Sequence, residues 1–178
     1  MKKIALALFI LSASATTTMA QSSKEQTFTF GAGLNLALPL GDFGKGYTFG
    51  IGGQVQGEYL FTENVSGIVS AGYTSFFGKS QTFDFGAGPV TIKNPSLGLI
   101  PILAGVRFYP SEQFFIGAQA GLGILSGGGS STSAFDYYPQ IGYNAESFQL
   151  VLGYNGLSKN GSTLNHLGLT GIYKFGGN

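Results

Sequence analysis

The sequence predicts an all-β chain: an eight-stranded antiparallel up-and-down transmembrane β-barrel, preceded by a cleaved signal peptide. Three observations carry that expectation. Apolar residues alternate with polar or very small ones, at period two, along eight separate segments. Only 10% of the residues are charged, against roughly 25% in ordinary soluble domains. No stretch after residue 20 is an apolar run of the ~20 residues that span a bilayer as a helix, and thirty glycines spread along the chain argue against helices altogether.

The first element is the leader. Lys2 and Lys3 precede an apolar run from Ile4 to Leu11, and small or polar residues follow as far as Thr18-Met19-Ala20. A basic end, a short greasy core and small residues around a cut describe a secretory signal. Cleavage is expected after Ala20, which divides the chain into a signal peptide, 1–20, and a barrel domain, 21–178. The chain has no cysteine, so disulfides and a cysteine-linked lipid anchor are excluded. A net charge of +1 leaves no electrostatic footprint for nucleic acid.

The predicted strands lie near 27–38, 48–60, 65–77, 97–109, 114–125, 135–145, 148–157 and 163–175. Connections after the second, fourth and sixth are short: Phe61-Thr62-Glu63-Asn64, Pro110-Ser111-Glu112-Gln113, and a turn at Glu146-Ser147. The other four read as longer loops: "PLGDFGKGY", "GKSQTFDFGAGPVTIKNPS", "SGGGSSTSA" and "SKNGS". Short turns alternating with longer loops around an even number of strands is the layout of bacterial outer-membrane barrels, whose short turns are periplasmic.

Each strand has two unlike faces. In the second, Phe49, Ile51, Val55 and Tyr59 alternate with Gly52, Gln54, Gln56 and Glu58; in the fifth, Phe114, Ile116, Ala118, Ala120, Leu122 and Ile124 alternate with a set containing Gln119. The sixth sets Phe135, Tyr137, Ile141 and Tyr143 against Asp136, Gln140 and Asn144. In the seventh, Phe148, Leu150, Leu152 and Tyr154 oppose Gln149, Gly153 and Asn155; in the eighth, Leu167, Leu169, Tyr173 and Phe175 oppose His166, Thr170 and Lys174. A soluble barrel would alternate too. Here, however, the polar face is nearly uncharged, a poor outer surface for a soluble protein, and aromatics of the apolar face collect at strand ends, as interfacial girdles require. The apolar faces are therefore expected to meet lipid.

With "LALPLGDFG" after the first strand, "SLGLIPILAGVRFYPSEQFFIGAQAGLGIL" through the fourth and fifth, and "GIYKF" in the last, the chain resembles the small porin-like outer-membrane β-barrel domains of Gram-negative bacteria. The resemblance implies residence in outer-membrane lipid and an aromatic near the C-terminus read by the barrel-assembly machinery, here Phe175. The chain departs from that pattern in adding Gly176, Gly177 and Asn178. These motifs record architecture, not activity.

Eight strands close on an interior just wide enough for side chains. Strand direction puts inward-facing Glu58, Arg107 and Lys174 near the periplasmic rim, with Glu146 close by. Charges there need partners, so a lumen cluster is expected, either a structural plug or a gate. Gln54, Gln56, Gln119, Asp136, Gln140, Gln149, Asn155 and His166 make up the rest of the polar lumen. His166 and Asp136 fall near the outer end, where a His-Asp pair beside a serine would suggest lipid-acyl chemistry. No Gly-x-Ser-x-Gly motif accompanies them, one histidine without cysteine makes no metal site, and no cofactor is implied. Finally, "SQTFDFGAGPVTIKN" alternates about a Gly86-Ala87-Gly88-Pro89 turn, predicting a projecting hairpin at 81–93 with open edges for a protein partner. The expected role is structural or interactive, with passive transport of small or hydrophobic solutes second and a lipid-modifying enzyme third.

Overall fold

The computed structural model describes residues 28–84 and 89–175. The predicted leader, the tip of the predicted hairpin turn at 85–88 and the last three residues lie outside the described residues.

Eight strands close a barrel, and every neighbouring pair is antiparallel. They are β1 (Phe28–Leu40), β2 (Tyr47–Leu60), β3 (Val65–Gly78), β6 (Leu97–Ser111), β7 (Phe114–Gly127), β8 (Ser130–Asn144), β9 (Phe148–Lys159) and β10 (Ser162–Phe175). Between β3 and β6, β4 (Ser80–Asp84) and β5 (Pro89–Lys93) pair as a separate two-stranded sheet. β1 closes on β10 from Phe30 opposite Phe175 to Leu40 opposite Asn165, so the barrel has no free edge. No helix among the described residues is long and apolar enough to cross a membrane, which says nothing of crossing by strands.

The predicted alternation of loop lengths is corrected in three places. "PLGDFGKGY" is not an open loop: Gly41–Gly46 form a short helix, α1. "SGGGSSTSA" shrinks to Gly128-Gly129, because β7 and β8 stay paired up to Gly127 opposite Ser130. "SKNGS" shrinks to Asn160-Gly161 in the same way. Both two-residue turns have positive φ at both positions, 59° and 82° in the first and 49° and 82° in the second. Such turns match the twist of paired strands, which is why Gly-Gly and Asn-Gly favour a tight hairpin over a loop. Polar composition made Ser130 to Ser133 read as loop, although hydroxyl side chains do not stop a ladder.

The faces divide as the alternation predicted. Leu34, Ile51, Val55, Ile116, Leu122, Ile141, Leu152 and Leu169 are exposed on the outside, while Gln56, Glu58, Arg107, Gln119, Gln140 and Gln149 are buried inside. Aromatics gather around the end where β1 begins and β10 ends: Phe28 on Phe30, Tyr59 on Phe61, Phe114 on Tyr143, and Tyr173 on Phe175, with centroids 4.5–5.4 Å apart. Phe49 and Phe77 pair toward the other end, 4.9 Å apart. We call these the turn end and the loop end.

Candidate functional site

The lumen is layered, and each layer follows from which inward positions fall at one height. At the turn end Arg107 is the centre. Its side chain, 1% exposed, forms an ion pair with Glu58 at 2.8 Å from Nη1 to Oε2. Nη1 also donates to Gln149 Oε1 at 3.0 Å, and Nη2 donates to Gln56 Oε1 and Gln140 Oε1 at 3.3 Å. The guanidinium lies over the Phe115 ring, 4.2 Å from its centroid, a cation–π contact strengthened by desolvation. Glu58 Oε1 accepts bonds from Ser66 Oγ and the Tyr109 hydroxyl, both at 2.5 Å. Strand register builds this cluster: Ser66 lies directly opposite Arg107 on β3 and β6, and Gln149 opposite Asn144 on β9 and β8.

Of the four charges expected here, Glu58 and Arg107 meet directly. Lys174 joins through a neutral relay, donating to Asn144 Oδ1 at 2.9 Å, which in turn accepts from Gln149 Nε2 at 3.1 Å. Glu146 stays exposed on the turn after β8 and is not among the groups that hold Arg107. It lines a vestibule of about 280 Å³ together with Glu63, Glu112, Lys174 and Tyr109. Each of the three turns at this end thus supplies one glutamate to that mouth.

Glycine makes room for the rings of this layer. A Cβ at Gly142 would collide with the Phe115 ring, and one at Gly153 with the Tyr138 ring. Both aromatics could therefore lie flat across the neighbouring strand only because β8 and β9 carry no side chain there.

Above the Arg107 cluster the lumen is polar and almost full. Gln119 accepts from Ser70 Oγ at 2.8 Å, and Asn35 Nδ2 donates to Thr74 Oγ1 at 2.9 Å. A cavity of about 30 Å³ remains, lined by Gln54, Asn155, Thr170 and His166 among others, a space of the size of a water molecule or two. Asp136 is fully buried beside β9 and has no cationic partner among the described residues.

The loop-end layer is apolar. Ala37, Phe76, Leu99, Ala134 and Leu157 face one another there, and Phe43 of α1 completes the cluster. His166 packs edge-on against Phe76, with centroids 5.2 Å apart, and forms no ion pair with Asp136. Among the described residues no group of His, Asp and Glu side chains could hold a metal ion.

α1 sits as a cap over this layer. Its helix lacks a side-chain N-cap bond, and its Asp42–Lys45 ion pair, 2.7 Å, is solvent-exposed. The hydrogen bond and charge of Lys45 lower the Asp42 carboxyl below its usual range. The cap is tied instead to the base of the β4–β5 hairpin. Lys79 donates from its backbone to Gly46 O at 2.8 Å and from Nζ to Gly44 O at 2.5 Å, and Asn94 Nδ2 donates to Gly46 O at 3.2 Å.

Sequence reasoning did not single out Ser66, Tyr109, Phe115, Phe43 or Phe76. A signal existed for Phe115: it is a large ring at an inward position whose cross-strand partner, Gly142, has no side chain.

No protein-family model matches the sequence, and no curated protein matches it. Solved structures do match in shape. Ail, the attachment invasion locus protein of Yersinia pestis, is 16% identical, with a TM-score of 0.54, covering 85% of this chain and all of that one; a second Ail structure, at 17% identity, TM-score 0.51 and the same coverage, holds the heparin analogue sucrose octasulfate. The N-terminal β-barrel domain of Pseudomonas aeruginosa OprF is 15% identical, TM-score 0.55, with the same coverage. Neisserial surface protein A is 16% identical, TM-score 0.56, covering 84% of this chain and 97% of that one. The likeness is one of fold: a small eight-stranded barrel of the outer-membrane type.

Proposed function

We propose that this protein is a Gram-negative outer-membrane barrel, exported by the signal peptide 1–20, with a structural or interaction role exercised at its loop end rather than through its lumen. The observation that carries the reading is the Arg107 cluster. Side chains from β2, β3, β6, β7, β8 and β9 converge on one guanidinium and one carboxylate, a packed layer across the narrow lumen of an eight-stranded barrel. A conduit for solutes would need this layer to part.

The orientation follows from β1 beginning and β10 ending at one rim while the longer connections, α1 and the β4–β5 hairpin, emerge at the other, the arrangement in which the first rim is periplasmic. The loop end then faces outward and presents α1 and the β4–β5 hairpin. The hairpin is a sheet of two strands only, so each strand keeps one unpaired edge to which a partner's strand can add. That Ail, of similar fold, is an attachment protein supports an interaction role by analogy of fold alone. Against lipid-acyl chemistry stands His166, which is buried against Phe76 and forms no ion pair with Asp136.

Deleting residues 81–93 tests the reading. The barrel should assemble unchanged, since its ladder does not run through the hairpin, while adhesion of cells bearing the protein drops. Unchanged adhesion with a normally folded variant, or discrete single-channel conductance of the purified wild type, contradicts it. Protein recovered from membranes should begin at Gln21; an N-terminus at Met1 contradicts the leader.

A further inference from the structure

The lumen of a barrel in lipid is ordinarily polar, yet here its outer layer is lined by Ala37, Phe76, Leu99, Ala134 and Leu157. Without a cover these side chains would form an apolar cup open to water. Phe43 fills it: the residue is 4% exposed, and its ring lies 4.8 Å from that of Phe76 and 5.0 Å from that of Tyr47. The Arg107 cluster packs across the lumen further down, so the cup opens toward the loop end.

The ring that fills the cup is not part of its wall. Phe43 rides on a six-residue helix, half of it glycine, with Gly41 in the left-handed region at φ 57° and no side-chain N-cap. Glycine weakens a helix interior and such a helix is too short to be stable alone. α1 is therefore held down by the burial of Phe43 and by the bonds from Lys79 and Asn94 to Gly44 and Gly46. Those two donors flank the β4–β5 hairpin, one before β4 and one after β5.

We propose that the loop-end lumen is a binding site for a small aromatic compound of one- or two-ring size, and that Phe43 is its built-in occupant, displaced when α1 lifts from the hairpin base. The class follows from the lining and the template: five apolar side chains pack around a phenyl ring, one of them Phe76, which presents its own ring to the guest, while His166 borders Phe76 and Asp136 lies beside Leu99 and Leu157 at the floor. The site binds and releases from the loop end, with the packed Arg107 layer beneath it. It is distinct from partner capture at the hairpin edge, and it stands or falls independently of it.

Indole serves as the probe, with the mature protein in lipid nanodiscs and leucine methyls followed by NMR. Leu99 and Leu157 methyls should shift saturably, while lipid-facing Leu122 shifts only in proportion to indole partitioned into the bilayer. Phe43→Ala should tighten binding about tenfold or more, since a site masked by a resident ring shows its intrinsic affinity divided by the open fraction, and minor states run near 0.1–10%. Lys79→Met, which loosens the cap without touching the cup, should tighten it in the same direction, and Ala134→Phe, which fills the cup, should abolish it. Linear shifts at Leu99 and Leu157 like those of Leu122 would overturn the proposal. So would unchanged affinity in both Phe43→Ala and Lys79→Met.

Discussion

Glu58→Gln removes the only carboxylate that touches Arg107 among the described residues, and the cost can be worked from the contacts. The charge-assisted bond at 2.8 Å from Arg107 Nη1 is lost, while the amide that replaces it can still accept from Ser66 or Tyr109. Breaking a buried pair by removing one partner typically costs about 3–5 kcal/mol. Because Gln56, Gln140 and Gln149 continue to accept from Arg107, the lower end, about 3 kcal/mol, is expected. Arg107→Met strands Glu58 with neutral donors only and should cost about as much. In the double variant both charges are gone, so its loss should fall short of the sum of the singles by about 2–3 kcal/mol, within the range of coupling for residues in one network. Equilibrium urea unfolding from lipid vesicles, followed by far-ultraviolet circular dichroism, measures all four corners of the cycle. Additivity to within about 0.5 kcal/mol, the behaviour of independent sites, would refute the pairing that closes the lumen.

Ile116→Arg, on the outer face near mid-strand, should destabilise the inserted barrel by about 2–4 kcal/mol, whereas Gln119→Arg, three residues on but pointing into the polar lumen, should cost clearly less in the same vesicle assay; equal costs would contradict the face assignment. Gly142→Ala should cost about 1–3 kcal/mol as an overpacking change, since its methyl group meets the Phe115 ring that covers Arg107, and a neutral result would mean that the ring moves freely. Gly129→Val places a β-branched residue at φ 82° and should cost about 1–2 kcal/mol; an unchanged unfolding midpoint would argue against the two-residue turn.

Much of the barrel was legible because a spanning strand must show lipid one face and the lumen the other, and that requirement writes itself into every second residue. Glu58 and Arg107 could be brought to one rim by counting strand directions alone. Lys174 and Glu146 were harder, because rim height is readable from sequence whereas the neutral relay through Asn144 depends on side-chain reach. Composition does not settle conformation in the loops: Gly128-Gly129 and Asn160-Gly161 are turns because of their φ angles, and the serines beside Gly128-Gly129 remain in the ladder. Phe43 was invisible for a related reason. Within "LGDFGKGY" it looks like one aromatic in a glycine-rich loop, and only the three-dimensional gap left between Ala37, Phe76 and Leu157 gives it a place.

The most direct test is which face of a strand meets lipid. The chain contains no cysteine, so Ile116→Cys and Gln119→Cys each provide a single attachment point for a nitroxide spin label in the refolded protein in vesicles. The label at 116 should relax strongly with oxygen, which concentrates in hydrocarbon, and weakly with a water-soluble nickel chelate. The label at 119 should be shielded from both by the packed lumen. High oxygen exposure at 119 with shielding at 116, or strong access of the nickel chelate at 116, would contradict the account.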